Sequence, residues 1–227
     1  MWDDAKVSAF RCYQILNTNG GRSFSNKDFL YATEALSFSG LNGLAQELVG
    51  FQFKSAQYLE DLNILSSMYE VTGQYPLAQK AASRHVQLSL NEENLQILKE
   101  AVELCVVNNW PKKANYLASR SFQIAKLSNK ISDYKTALET YLLLGKTEEA
   151  HQACNLCVET AKRFQSTQML KDAIFCLHLL GRLDEAKELA QTCIELTDKL
   201  GSFQSFRDAI EICQLLKLKR HVERYSR

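Results

Sequence analysis

The sequence predicts an all-α fold, a right-handed α-solenoid of stacked antiparallel helix pairs, and three observations carry that prediction. The corner Leu144-Gly145-Lys146-Thr147-Glu148-Glu149-Ala150 returns 36 residues later as Leu180-Gly181-Arg182-Leu183-Asp184-Glu185-Ala186. The same 36-residue interval links a turn column, Gly73, Asn109, Gly145, Gly181 and Lys217. Around each turn, apolar residues step by threes and fours, the spacing of one helical face.

Each column has a physical reading. A glycine that ends a leucine-rich run suits the left-handed position closing a helix, and the acids that follow suit the positive end of the next helix. Eleven, eight and four residues before the turn stand Leu62/Leu98/Tyr134/Leu170/Phe206, Leu65/Ala101/Ala137/Ala173/Ala209 and Tyr69/Cys105/Tyr141/Leu177/Cys213. Large residues therefore alternate with small ones along the first helix, which allows a close helix crossing. Five and nine residues after it, Ala78/Ala114/Ala150/Ala186 and Ala82/Ala118/Cys154/Ala190 repeat the device on the second helix. The only prolines, Pro76 and Pro111, fall just after a turn, where a first helical turn tolerates a missing N–H.

Taken in order, residues 1–18 match the second helix of a repeat, Asp3-Asp4-Ala5 aligning with Asp184-Glu185-Ala186 and Cys12 with Cys193. A loop-like stretch holds Asn19-Gly20-Gly21. Residues 26–57 read as a divergent repeat, 58–202 as four regular 36-residue repeats, and 203–227 as a partial C-terminal repeat. Beginning and ending inside a repeat suggests a segment of a longer array, because a solenoid usually closes with polar capping helices.

These columns resemble the tetratricopeptide repeat (TPR) family through Leu144-Gly145 with Ala150, Leu180-Gly181 with Ala186, Tyr69, Tyr141 and Gly73-Gln74-Tyr75 with Ala78. The resemblance implies a TPR-like superhelix and protein binding by the first helices. The repeat here is two residues longer than the usual TPR and lacks the proline that often closes its second helix. Sel1-like repeats share the length, but their cysteines pair at a fixed spacing. Here Cys12, Cys157 and Cys193 share one column, Cys105 and Cys213 another, which reads as packing.

Composition narrows function. With 27 basic and 26 acidic residues the chain has no basic excess for nucleic acid, and no apolar run reaches membrane-spanning length. Seven cysteines, an odd number, point to a reducing compartment, hence the cytoplasm. Cys154-x-x-Cys157 lies within a helix, not at the N-terminus that would activate a thiol. His85, His151, His178 and His221 have no metal-ligand spacing, and Gly20-Gly21 lacks a phosphate loop's context. No enzyme activity, cofactor or metal is expected.

The expected partner is a protein or peptide. Ten residues before each turn stand Asn63, Lys99, Lys135, Lys171 and Arg207, a cation stripe able to hold an acidic peptide. Lys99–Glu103, Lys135–Glu139 and Arg207–Glu211 could instead pair within their helices. Lys171 has Phe175 at that step, so Lys171 and Phe175, with His178 beside them, are the first candidates. The Glu positions disfavour the chaperone-binding TPR clamp, which places asparagine there. Tyr31, Phe51, Phe53 and Tyr58 form either a filled junction or an exposed anchor patch. Three readings stay open: a peptide-binding scaffold or adaptor, a spacer segment of a multidomain secretion or polysaccharide-export assembly (which would be periplasmic), and a self-assembling solenoid.

Overall fold

A computed structural model describes residues 2–18, 24–55 and 59–218. The expectations placed on Asn19-Gly20-Gly21, Tyr58, His221, Val222 and the helix beginning at Lys219 lie outside the described residues.

Twelve helices are described: α1 (Trp2–Thr18), α2 (Asn26–Phe38), α3 (Asn42–Ser55), α4 (Leu59–Val71), α5 (Tyr75–Ser89), α6 (Leu95–Val107), α7 (Pro111–Ser128), α8 (Ile131–Leu143), α9 (Thr147–Phe164), α10 (Thr167–Leu179), α11 (Leu183–Leu200) and α12 (Phe203–Leu215). Helices α4, α6, α8, α10 and α12 all have 13 residues and begin 36 residues apart. Their partners α5, α7, α9 and α11 begin at the same interval, and the last three reach 18 residues. The extra length over a common TPR thus resides in the second helices.

The turn column adopts one conformation. Gly73, Gly145 and Gly181 have φ near +70°, and the two non-glycine members follow, Asn109 at 54° and Lys217 at 57°. In every copy the N–H after the turn residue donates to the carbonyl five residues earlier: Gln74 to Tyr69, Trp110 to Cys105, Lys146 to Tyr141, Arg182 to Leu177, Leu218 to Cys213, all within 2.7–3.0 Å. Leu41 does the same to Leu36 after Gly40. This is the 6→1 bond of the Schellman motif, and its acceptor is the buried large-residue or cysteine column, so one position closes the helix and fills the core. The return corners repeat too, with Asn129, Gln165 and Gly201 left-handed at 36-residue spacing. Local charges agree: Glu148 and Glu149 open α9 and Lys162 and Arg163 end it, favourable against the helix dipole.

The chain divides into two compact units, residues 1–92 with 100–111 and residues 93–99 with 112–227. In the first, α2 packs against α1, α3 and α4, and α4 against α5, around Phe29, Leu36, Leu48, Val49, Leu65 and Met68. Ser66 Oγ donates to the Ala78 carbonyl at 3.1 Å, tying α4 to α5. Asn26 bonds Asp61 and accepts from Gln52. Phe51 stacks on Phe29, and Phe53 lies tilted beside Tyr69, whereas Tyr31 is 62% exposed.

In the second unit α8 packs with α9, and α10 contacts α8, α9, α11 and α12. The alanine columns are fully buried at Ala137, Ala150, Ala173, Ala186 and Ala209. Cys154, Cys157, Cys176, Cys193 and Cys213 are buried free thiols. Burial pushes the Cys154 and Cys193 thiols up to about 12. Among the described residues, no cluster of three or more His, Cys, Asp or Glu side chains could hold a metal, and no helix is long and apolar enough to cross a membrane.

Candidate partner-binding face

The cation stripe is paired between helices, not within them. Lys99 Nζ donates to Glu139 Oε2 at 2.7 Å, Lys135 lies 3.8 Å from Asp172 Oδ1, and Lys171 Nζ donates to Asp208 Oδ1 at 2.8 Å and Glu211 Oε2 at 2.9 Å. The acids stand 37 or 40 residues beyond their lysines, one repeat plus one or four positions. First helices of successive repeats lie side by side, as α8, α10 and α12 do. A lysine stem therefore reaches across to the next helix. Of the three expected intrahelical pairs, Arg207–Glu211 forms, at 3.1 Å; Lys99 and Lys135 bond the neighbouring helix instead of Glu103 and Glu139.

Lys171 corrects the sequence reading most sharply. Expected to be the unpaired cation, it is the most heavily bonded. Its partner Asp208 is wholly buried and also accepts from Thr167 Oγ1 at 3.0 Å and Gln204 Nε2 at 3.0 Å. A buried carboxylate requires such donors, since an unpaired one would lose several kcal/mol of hydration. Burial works against the charge on Lys171, but hydrogen bonds to Asp208 and Glu211 outweigh it and hold the ammonium above the usual lysine range. Lys171, with Arg207 beside it, in turn keeps the Glu211 carboxyl below the usual carboxylate range.

Phe175 takes the place of an acid in this ladder. It lies 40 residues beyond Lys135, whose Nζ is 4.5 Å from the centre of its ring, within cation–π range. Lys135, Lys171, Asp172, Phe175, Glu211, Ile212 and Leu215 together line a cleft of about 270 Å³. The structure thus brings Lys135, Lys171 and Phe175 together. Arg207 sits at the cleft's edge, 64% exposed and joined to it through Glu211. Lys99 is outside, committed to Glu139. His178 is half-buried in the last turn of α10, away from the lining. Asp172 and Asp208 were missed from sequence; the available signal was an acid 37 residues after both Lys135 and Lys171.

No family model matches the chain, and no curated protein does. Solved structures give similarities of fold. A chain described as a Podosopora anserina kinesin light chain with nearly identical TPR-like repeats is 16% identical, with 86% of this chain and 95% of that chain covered and a TM-score of 0.47. MamA of AMB-1 is 13% identical over 74% of this chain and 96% of its own, at 0.36. The C-terminal part of a TPR repeat-containing protein from Cytophaga hutchinsonii is 10% identical over 92% and 99%, at 0.32. By its own corners and helix spacing the chain is an all-α repeat of antiparallel helix pairs, similar to TPR-like repeat proteins.

Proposed function

We propose that the chain is a non-enzymatic protein-interaction scaffold or adaptor, and that α8, α10 and α12 present the surface that holds a peptide or partner helix. The observation supporting this is the cleft around Phe175, where an aromatic ring and apolar Ile212 and Leu215 adjoin cations that are not all committed. Lys171 is a structural strut. Lys135 is held by a long 3.8 Å pair and a ring, and Arg207 extends its head to solvent. A ligand with a carboxylate near one apolar side chain satisfies both cations and covers the ring. Charge-assisted bonds then set orientation, and affinity draws on a preordered surface. No bond is made or broken; the 36-residue spacing fixes the distance between contacts.

The test is selection of a displayed random-peptide library on the full chain, followed by affinity measurement on Phe175→Ala, Lys135→Glu and Arg207→Glu. Enriched peptides carrying acidic and apolar residues, whose binding falls tenfold or more, about 1.4 kcal/mol, in each helical variant, support the reading. Peptides that bind all four proteins alike, or no enrichment, overturn it.

A further inference from the structure

Between α1 and α2, in the first unit, lies a second cleft of about 270 Å³, lined chiefly by Cys12, Ile15 and Leu16 from one helix and Tyr31, Ala32 and Ala35 from the other. The repeat columns identify what would cover it. Aligning Ala5 with Ala186 sets Cys12 at the place of Cys193 and Leu16 at that of Thr197. Aligning Gly40 with Lys217 sets Tyr31 at the place of Asp208 and Ala35 at that of Ile212. All four counterparts in the second unit are buried.

Their cover is α10, which packs against both α11 and α12. Cys193 Sγ lies 3.9 Å from the Thr167 carbonyl oxygen, and Asp208 accepts from Thr167 and Lys171. In the first unit the equivalent places are open. Cys12 is exposed, although His85, Ser121, Cys157 and Cys193 in its column are 0% exposed. Tyr31, at 62% exposed, replaces the buried aspartate. Helices α1 and α2 therefore present the seat that α11 and α12 present to α10.

We propose that this seat docks, in trans, an amphipathic helix of a partner protein with the stripe of α10: large apolar residues at the places of Leu170, Ile174 and Leu177 and a small one at that of Ala173. Helix-in-groove recognition reads such steps. Because Tyr31 stands where Asp208 would, the partner carries an apolar residue in place of Lys171. A second copy of this chain is a poorer occupant. Its α2, α4, α8, α10 and α12 are each packed against helices of their own unit, so lending one would dismantle a repeat.

Cys12 makes the seat testable, being the exposed cysteine of the seven. The probe is an acetylated, amidated peptide of the α10 sequence with Lys171→Leu, Cys176→Ala and Thr167→Cys, its cysteine activated as a 2-thiopyridyl disulfide. The Cys12 thiolate attacks the peptide sulfur, a protein–peptide disulfide forms, and 2-thiopyridone leaves and is read by absorbance. The full chain should react at least about tenfold faster with this peptide than with a scrambled one, as expected when binding raises local concentration. Tyr31→Glu, at an exposed site that leaves the circular dichroism unchanged, should abolish the excess, and Cys12→Ser should abolish the reaction. Equal rates for the two peptides overturn the proposal, as does an excess that survives Tyr31→Glu. Protection of Cys12 by concentration-dependent self-association overturns it in favour of a second copy.

Discussion

Lys171 Nζ lies 2.8 Å from Oδ1 of Asp208, a wholly buried carboxylate 37 residues downstream. That bond joins α10 to α12 and fixes which cations of the stripe remain for a ligand. Lys171→Met should cost about 2 kcal/mol or more, because it strips a buried charge of its counter-ion. Arg207→Met, at an exposed pair, should change stability by less than about 0.5 kcal/mol. Urea unfolding of both variants checks the contrast; equal midpoints would show that Asp208 gains little from Lys171.

His85 is fully buried and neither ring nitrogen has a hydrogen-bond partner. Burial lowers its pKa to about 4, so the folded state holds the ring neutral while the unfolded chain protonates near 6.5. The folded pKa being the lower, this contribution is intact above pH 6.5 and is lost as pH falls toward 4. The loss amounts to about 3 kcal/mol at 1.36 kcal/mol per unit. His85→Leu removes the unsatisfied nitrogens and should flatten the fall in denaturation midpoint between pH 7 and 4. An unchanged slope would assign that fall to other groups.

The turn column predicts opposite effects for one kind of change. Gly145 has φ +67° with open space where a Cβ would stand, so Gly145→Ala costs only the backbone penalty, about 1 kcal/mol. Asn109→Gly at φ 54° should gain a few tenths of a kcal/mol by the same reasoning. Paired chemical denaturation of the two variants decides it, and a stabilising Gly145→Ala would contradict the corner geometry.

Thiol chemistry should follow burial. Cys154 and Cys193, with pKa values pushed up to about 12, stay protonated at pH 8, and thiolate is the reactive form. An aromatic disulfide reagent should modify Cys12 promptly and the other six cysteines only on unfolding. Prompt reaction of two or more in the native Cys12→Ser protein would show that the second-unit core opens readily.

The sequence by itself determined the repeat. Corner glycines, alanine columns and three-four stepping are local rules, and each was legible because helix closure and one-face burial involve residues within two turns. Even the φ of Lys217 and Asn109 followed from their column, against their residue type. The pairing of the stripe was decided only by tertiary structure. The i,i+4 partners Glu103 and Glu139 were visible in sequence, yet Lys99 and Lys135 turned to the neighbouring helix. Lys171, which no local acid could serve, is held by Asp208 and Glu211 from the next repeat. A cation takes the partner whose desolvated carboxylate needs it most, and that need exists only once side-by-side helices have excluded water between them.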